Sequence, residues 1–228
     1  MSRSLERIFV WAGGTVFVAS LMLTAWTYLW AFATATPSPN FTAAAIDALL
    51  ISLFALHHSL FARDAMKRAM SRLVPDRLLR SVYVWIASLL LIMVCLLWRH
   101  VGGEAYRVTG WAMWLFVAAQ LIGVWTIANS VRAIDPLELA GIHPERPIDA
   151  LQSNGVYGLV RHPLYLGWLL CVFGSPHMTG DRVAYAIITT AYLIVAMPWE
   201  ERSLERAFGE GYAKYKRDVR WKIVPYLY

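Results

Sequence analysis

The chain has 228 residues, of which 58% are hydrophobic and 16% charged, with 11 Trp and a mean hydropathy of +0.48. A soluble domain carries nearer ~25% charged residues, so this composition excludes an ordinary soluble globular domain. The net charge of +6 in so apolar a chain excludes a nucleic-acid partner and reads as an orientation signal and as contact with lipid headgroups.

A membrane-spanning helix needs ~20 consecutive apolar residues. Six such segments follow one another: residues 8–32, 44–62, 82–98, 111–128, a shorter 164–178, and 183–199. The predicted fold is all-α, a polytopic membrane bundle of about six transmembrane helices forming one integral membrane domain over residues 1–228. The first stretch is too long for a cleaved leader and lacks a small-residue cleavage site, so it is expected to stay as a helix. The last two segments are joined only by Thr179-Gly180-Asp181-Arg182 and are expected to form a tight antiparallel hairpin. The 129–161 loop, rich in Pro, Gly and acids, reads as an ordered functional loop rather than a linker. After Glu200 the chain opens as a C-terminal amphipathic helix. Tyr212, Tyr215, Trp221, Tyr226 and Tyr228 interleave there with Lys and Arg, a composition suited to the headgroup region.

Charge counting orients the bundle. With alternate connections assigned to opposite sides, 18 Lys and Arg fall on one side and 3 on the other. The positive-inside rule then predicts that both termini are cytoplasmic. The connection over residues 63–80 is the most basic of the internal ones, with six Lys and Arg.

The polar residues inside this apolar chain are functional candidates, because an ionised group near lipid is costly unless paired. Arg161-His162-Pro163 stands where the fifth segment begins, and Glu200-Glu201 where the sixth ends. A tight hairpin makes those two ends neighbours. Pro163 suits a first helical position, which puts His162 near the N-cap with backbone N–H groups open to an anion and Arg161 beside it as a bidentate donor. Neither Glu200 nor Glu201 has a cation at i+3 or i+4, so each is expected to pair with Arg161 or with a cationic ligand. Pro198 is expected to kink the helix just before them. His57-His58 lies near the end of the second segment; neighbouring histidines on a helix point about 100° apart, so at most one faces a given partner. A bond to a backbone carbonyl, a place beside a substrate and a haem ligand are all open to them. Asp47 and His177 read as interfacial groups, Cys95 and Cys171 as small buried hydrophobes, and Trp11, Trp26, Trp30, Trp98, Trp111 and Trp114 as an aromatic belt. No metal-ligating motif, Gly-rich phosphate loop or Ser-His-Asp set is present.

The stretch 155–167, GVYGLVRHPLYLG, with Glu200-Glu201-Arg202 and Phe208-Gly209-Glu210-Gly211-Tyr212-Ala213-Lys214-Tyr215, resembles the signature of membrane methyltransferases related to isoprenylcysteine carboxyl methyltransferase and the phospholipid N-methyltransferases. The element Leu56-His57-His58-Ser59-Leu60-Phe61-Ala62-Arg63 is similar to the bacterial branch of methanethiol S-methyltransferases. The resemblance implies an S-adenosylmethionine-dependent enzyme of a bacterial inner membrane, with its donor site at the cytoplasmic face. It implies that Arg161, His162, Pro163, Tyr165 and Gly167 contact the cofactor and that Glu200 and Glu201 close its polar side. It assigns residues 129–228 to the donor and residues 1–128 to the acceptor side. The chemistry is compatible: paired acids, an Arg and a helix start can meet a sulfonium, an amine and a carboxylate, and the rings of Tyr157 or Tyr165 can add a cation–π contact. For a small or lipidic thiol acceptor the thiolate is the nucleophile, and His57 or His58, with Arg161, forms the expected catalytic set.

Carboxyl methylation of an isoprenylcysteine and methylation of an amine lipid are alternatives within the same resemblance. A different class is also open: the His-Ser and Arg-His-Pro elements resemble ζ-carotene isomerase-like proteins, which implies haem held by His57 or His58 with His162. That reading leaves Glu200, Glu201 and the aromatic tail without a role.

Overall fold

The computed structural model describes residues 3–36, 38–61, 63–132, 135–144 and 150–228. Residues 133–134 and 145–149 of the expected functional loop, and Ala62 at the predicted end of the second segment, lie outside that set. The helices are α1 (Arg3–Leu29), α2 (Phe41–Phe61), α3 (Asp64–Met70), α4 (Asp76–Leu97), α5 (Met113–Arg132), α6 (Pro136–Leu139), α7 (Pro163–Phe173), α8 (Gly180–Phe208) and α9 (Glu210–Asp218). Among the described residues, five helical stretches are long and apolar enough to cross a membrane: Arg3–Ala33, Phe41–Phe61, Asp76–Leu97, Gly110–Arg132 and Gly180–Phe208. The fold is thus a membrane helical bundle, and its outward Trp11, Met22, Trp26, Leu49, Leu89 and Leu115 are large exposed apolar side chains, as lipid contact requires.

The predicted fifth segment is the exception. α7 is apolar throughout but only 11 residues long, about half of what a span needs. It stops at Gly174, and residues 177–179 form a short strand, β2, that pairs with β1 (Glu104–Arg107). The expected turn Thr179-Gly180-Asp181-Arg182 is instead the end of β2 and the first turn of α8. α8 carries Pro198 in its interior and continues past it to Phe208.

The chain forms two compact units. Unit 1 comprises residues 1–104, 135–146 and 179–184. In it α4 packs against α1 and α2. Gly13 of α1 leaves room for the Trp85 indole, whose Nε1 donates to the Phe9 carbonyl at 3.1 Å. Two carboxylates fix the segment that follows α4. Asp47 Oδ1 accepts the Arg99 N–H at 2.9 Å, and Asp181 Oδ1 accepts Trp98 Nε1 and the Val101 N–H, each at 2.8 Å. Both acids are fully buried, so Asp47 is a structural acceptor rather than an interfacial charge, and Trp98 is tied to Asp181. Arg182 donates to the Tyr28 and Leu29 carbonyls at 3.1 and 2.7 Å, so this Arg satisfies the end of α1.

Unit 2 comprises residues 105–134, 147–178 and 185–228. Its core contact is α5 against α7. Gly123 and Gly167 face each other there, and a Cβ on Gly167 would stand 2.8 Å from the Gly123 carbonyl and 2.7 Å from Ile127 Cγ1. Trp168 Nε1 donates to Thr189 Oγ1 at 3.1 Å, tying α7 to α8. Gly209, at φ +49, lets the chain turn out of α8 into α9. Tyr212, Tyr215 and Val219 then pack with Leu151, Leu204 and Phe208.

Gly167→Ala is expected to destabilise the protein by about 1–3 kcal/mol, the usual range for overpacking a tight contact. Thermal unfolding in detergent measures this, with Gly211→Ala as control. A Cβ at Gly211 meets open space, so that change should be neutral or stabilising by up to about 1 kcal/mol.

Candidate functional site

Pro163 takes the first position of α7 and is buried. Arg161 and His162 are thereby held just ahead of the helix, and both are buried as well. A guanidinium withdrawn from water has to be matched by acceptors. Arg161 Nε donates to Glu201 Oε1 at 2.8 Å, and its Nη1 donates to the carbonyls of Val219 and Arg220 at 3.0 and 2.7 Å. The backbone follows the side chain: the N–H groups of Arg161 and His162 donate to the carbonyls of Trp221 and Lys222 at 2.9 and 2.8 Å. The sequence predicts amides open to an anion here, but these two are taken, because the C-terminal tail lies alongside and accepts from them.

His162 occupies the space between two acids. Its side chain is 3% exposed, with Nε2 3.4 Å from Glu201 Oε1 and Nδ1 3.6 Å from Glu200 Oε2. Burial favours the neutral imidazole, but the hydrogen bonds and charges of Glu200 and Glu201 outweigh it and raise the His162 pKa above its ordinary value. The imidazole stacks on Tyr165, centroids 5.1 Å apart at 16°, and Tyr165 O–H donates to Glu200 Oε2 at 2.6 Å. Charges in this cluster cancel when His162 is protonated and leave one negative charge when it is neutral.

Accessibility divides the cluster. The Glu201 side chain is 12% exposed and already paired with Arg161, whereas that of Glu200 is 46% exposed. Glu200 with Tyr165 is thus the part of the cluster that an incoming amine or other cation can reach. Tyr157 lies at the margin, its hydroxyl donating to the Ser130 carbonyl at 3.4 Å and its carbonyl accepting Tyr215 O–H at 2.7 Å. Burial, then the Glu200 charge, push the Tyr157 hydroxyl above its ordinary range. Gly167 faces Gly123 and Ile127 of α5 and is accounted for by packing.

His57 and His58 belong to unit 1. His57 Nε2 donates to the Tyr83 carbonyl at 3.3 Å, and its ring stacks on Tyr83 at 5.4 Å and 16°. His58 Nδ1 is hydrogen-bonded to the Tyr83 hydroxyl. The haem reading gains nothing from these geometries, since both ring nitrogens of His162 face carboxylates.

Sequence reasoning includes Tyr212 in the family-like stretch 208–215 but gives it no role of its own. This residue is fully buried and its hydroxyl has no hydrogen-bond partner among the described residues. Burial, then Glu201, raise its pKa, while Arg161 opposes them, so the phenol sits within reach of the charges of the same cluster. The available signal is the spacing of Tyr212 and Tyr215, three residues apart, which puts both on one face of α9. The tail carbonyls at 219–222 carry no side-chain signal at all.

Residues 111–211 match the family described as phospholipid methyltransferase. Among characterised proteins, the chain is 36% identical over 192 residues to methanethiol S-methyltransferase 2 of Bradyrhizobium diazoefficiens, covering 80% of this chain and 73% of the relative. It is 34% identical to methanethiol S-methyltransferase of a Pseudomonas strain, over 76% of this chain and 70% of the relative. It is 33% identical to methanethiol S-methyltransferase of Mycobacterium tuberculosis, over 81% of this chain and 80% of the relative. No solved structure matches the chain.

Two outcomes follow from the geometry. Arg161→Met strands a buried carboxylate and two carbonyls, and should cost about 3–5 kcal/mol in thermal or denaturant unfolding; Glu201→Gln, whose amide oxygen still accepts from Arg161, should cost clearly less. His162 has a raised pKa in the folded protein, so its stabilisation is complete below its ordinary value of about 6.5 and is lost as pH rises through the raised one. The unfolding midpoint should therefore fall across that window in the wild type, and His162→Gln should remove that part of the pH dependence.

Proposed function

Because the chain belongs to the family of membrane methyltransferases that contains the methanethiol S-methyltransferases, we propose that it transfers a methyl group from S-adenosylmethionine to a small or lipidic thiol, working at the cytoplasmic face of a bacterial inner membrane with both termini cytoplasmic. One observation carries the donor assignment: Tyr157, Arg161, His162, Tyr165, Glu200 and Glu201 assemble within unit 2, inside the stretch that matches the family.

The residues present fit the donor on their chemistry. Glu200, half exposed and held by Tyr165, is placed to accept from its amine. The Tyr212 hydroxyl, buried without a partner, is available to donate to its carboxylate. Arg161 and Glu201 satisfy each other, so their part is to hold the tail and α8 in register rather than to bind directly. His162 answers Glu201 and Glu200 together, and its protonation sets the net charge that the donor's cationic part meets. Bound there, the donor supplies an electrophilic methyl group on a sulfonium, which a thiolate is competent to accept. Positioning and exclusion of water are then what the protein contributes. Residues 1–128 are assigned to acceptor choice, with His57 and His58 as candidate bases.

Methyl transfer is tested on purified protein in lipid nanodiscs with labelled S-adenosylmethionine, offering methanethiol, a prenylcysteine and phosphatidylethanolamine in parallel. Label on the thiol is expected. Glu200→Ala should lower transfer about 10- to 100-fold, the scale of one hydrogen bond to a charged group. Label on phosphatidylethanolamine alone would overturn the thiol assignment, and no binding of S-adenosylhomocysteine would overturn the donor.

A further inference from the structure

Unit 1 contains a pocket of about 500 Å³ lined by residues that include His58, Phe61, Lys67, Arg77, Arg80 and Tyr83. We propose that it holds the phosphate headgroup of an anionic phospholipid. The inference does not rest on the methyl-transfer reading.

Arg80 is the residue that makes the pocket specific for an anion. Its Nε donates to the Glu138 carbonyl at 2.9 Å, and its guanidinium lies over the Tyr83 ring, 5.0 Å from the centroid. Those two contacts fix the plane of the group. Its terminal nitrogens make no hydrogen bond among the described residues, so their N–H donors face the pocket already oriented, the arrangement that suits a phosphate. Tyr83 is fixed in turn: His58 bonds its hydroxyl, while His57 bonds its carbonyl and stacks on its ring. The paired histidines therefore frame the platform on which Arg80 rests.

Charge and position select a lipid over a free anion. Among the described lining residues, Lys67, Arg77 and Arg80 face one acid, Asp76. Arg77 is engaged by Glu6 at 3.0 and 2.5 Å, so Arg80 is the cation whose terminal donors are directed at the pocket. Phe61, Met70 and Leu79 complete the wall with apolar surface. The pocket sits where the spanning helix α2 ends and the spanning helix α4 begins, hence at headgroup depth. Residues 63–80, which join α2 to α4 and include the first residues of α4, hold six Lys and Arg, the mark of the side facing anionic lipid.

Native mass spectrometry of the full chain in detergent tests this with equimolar phosphatidylglycerol and phosphatidylcholine of equal chain length. Phosphatidylglycerol should be retained selectively. Arg80→Gln should weaken retention about tenfold, the scale of a lost charge-assisted contact. Asp76→Asn should strengthen it, a gain that misfolding cannot imitate. Glycerol phosphate at the same concentration should not displace the lipid. Equal retention of both lipids, no change in either variant, or displacement by glycerol phosphate would each overturn the proposal.

Discussion

The burial of the Arg161 guanidinium is the constraint from which the unit 2 site follows. A charge of that kind cannot be neutralised by losing its proton, so the surroundings have to supply acceptors. Glu201 supplies one from α8, and the chain after α9 supplies two carbonyls. Meeting this need brings three stretches distant in sequence to one place: the start of α7, the end of α8 and the segment 219–222. His162 is then caught between Glu200 and Glu201, and Tyr165 is stacked beneath it. What is left over is an accessible carboxylate, Glu200, on a rigid support. The site is therefore a by-product of satisfying one buried cation, with the catalytic opportunity lying in the groups that cation does not use.

Much of this was legible before any coordinates. Hydropathy places the long helices because backbone groups in lipid must be satisfied within the helix. The missing i+3 and i+4 cations around Glu200 and Glu201 pointed to partners elsewhere in the chain, and Arg161 is the partner of Glu201. The parts that stayed hidden share a cause: they depend on backbone atoms or on packing. Carbonyls at 219–222 look alike in any sequence, so nothing announces that they take the N–H groups at the head of α7. Gly167 reads as a cofactor contact from its motif, but its place against Gly123 is decided by how closely α5 and α7 approach. Asp47 and Asp181 are written as charges in the sequence, and their role as acceptors for the segment after α4 becomes visible only when that segment is seen to leave its helix.

His57 and His58 are the histidines that draw attention in the N-terminal half, and both are engaged with Tyr83. Tyr212, beside the charges of the cluster, has a buried hydroxyl with no hydrogen-bond partner among the described residues, as do Ser88 and Thr190 elsewhere in the bundle. An unpaired buried donor costs about 1–3 kcal/mol, a cost that a bound ligand can relieve.

Hydrogen–deuterium exchange of the full chain in nanodiscs, with and without S-adenosylhomocysteine, tests the assignment of the donor site to this cluster most directly. Slower exchange is expected in the amides around the start of α7, the end of α8 and residues 212–222, with α2 and α4 unchanged. Exchange that is unaltered in those segments at a saturating ligand concentration, or that slows in α2 and α4 instead, would contradict it.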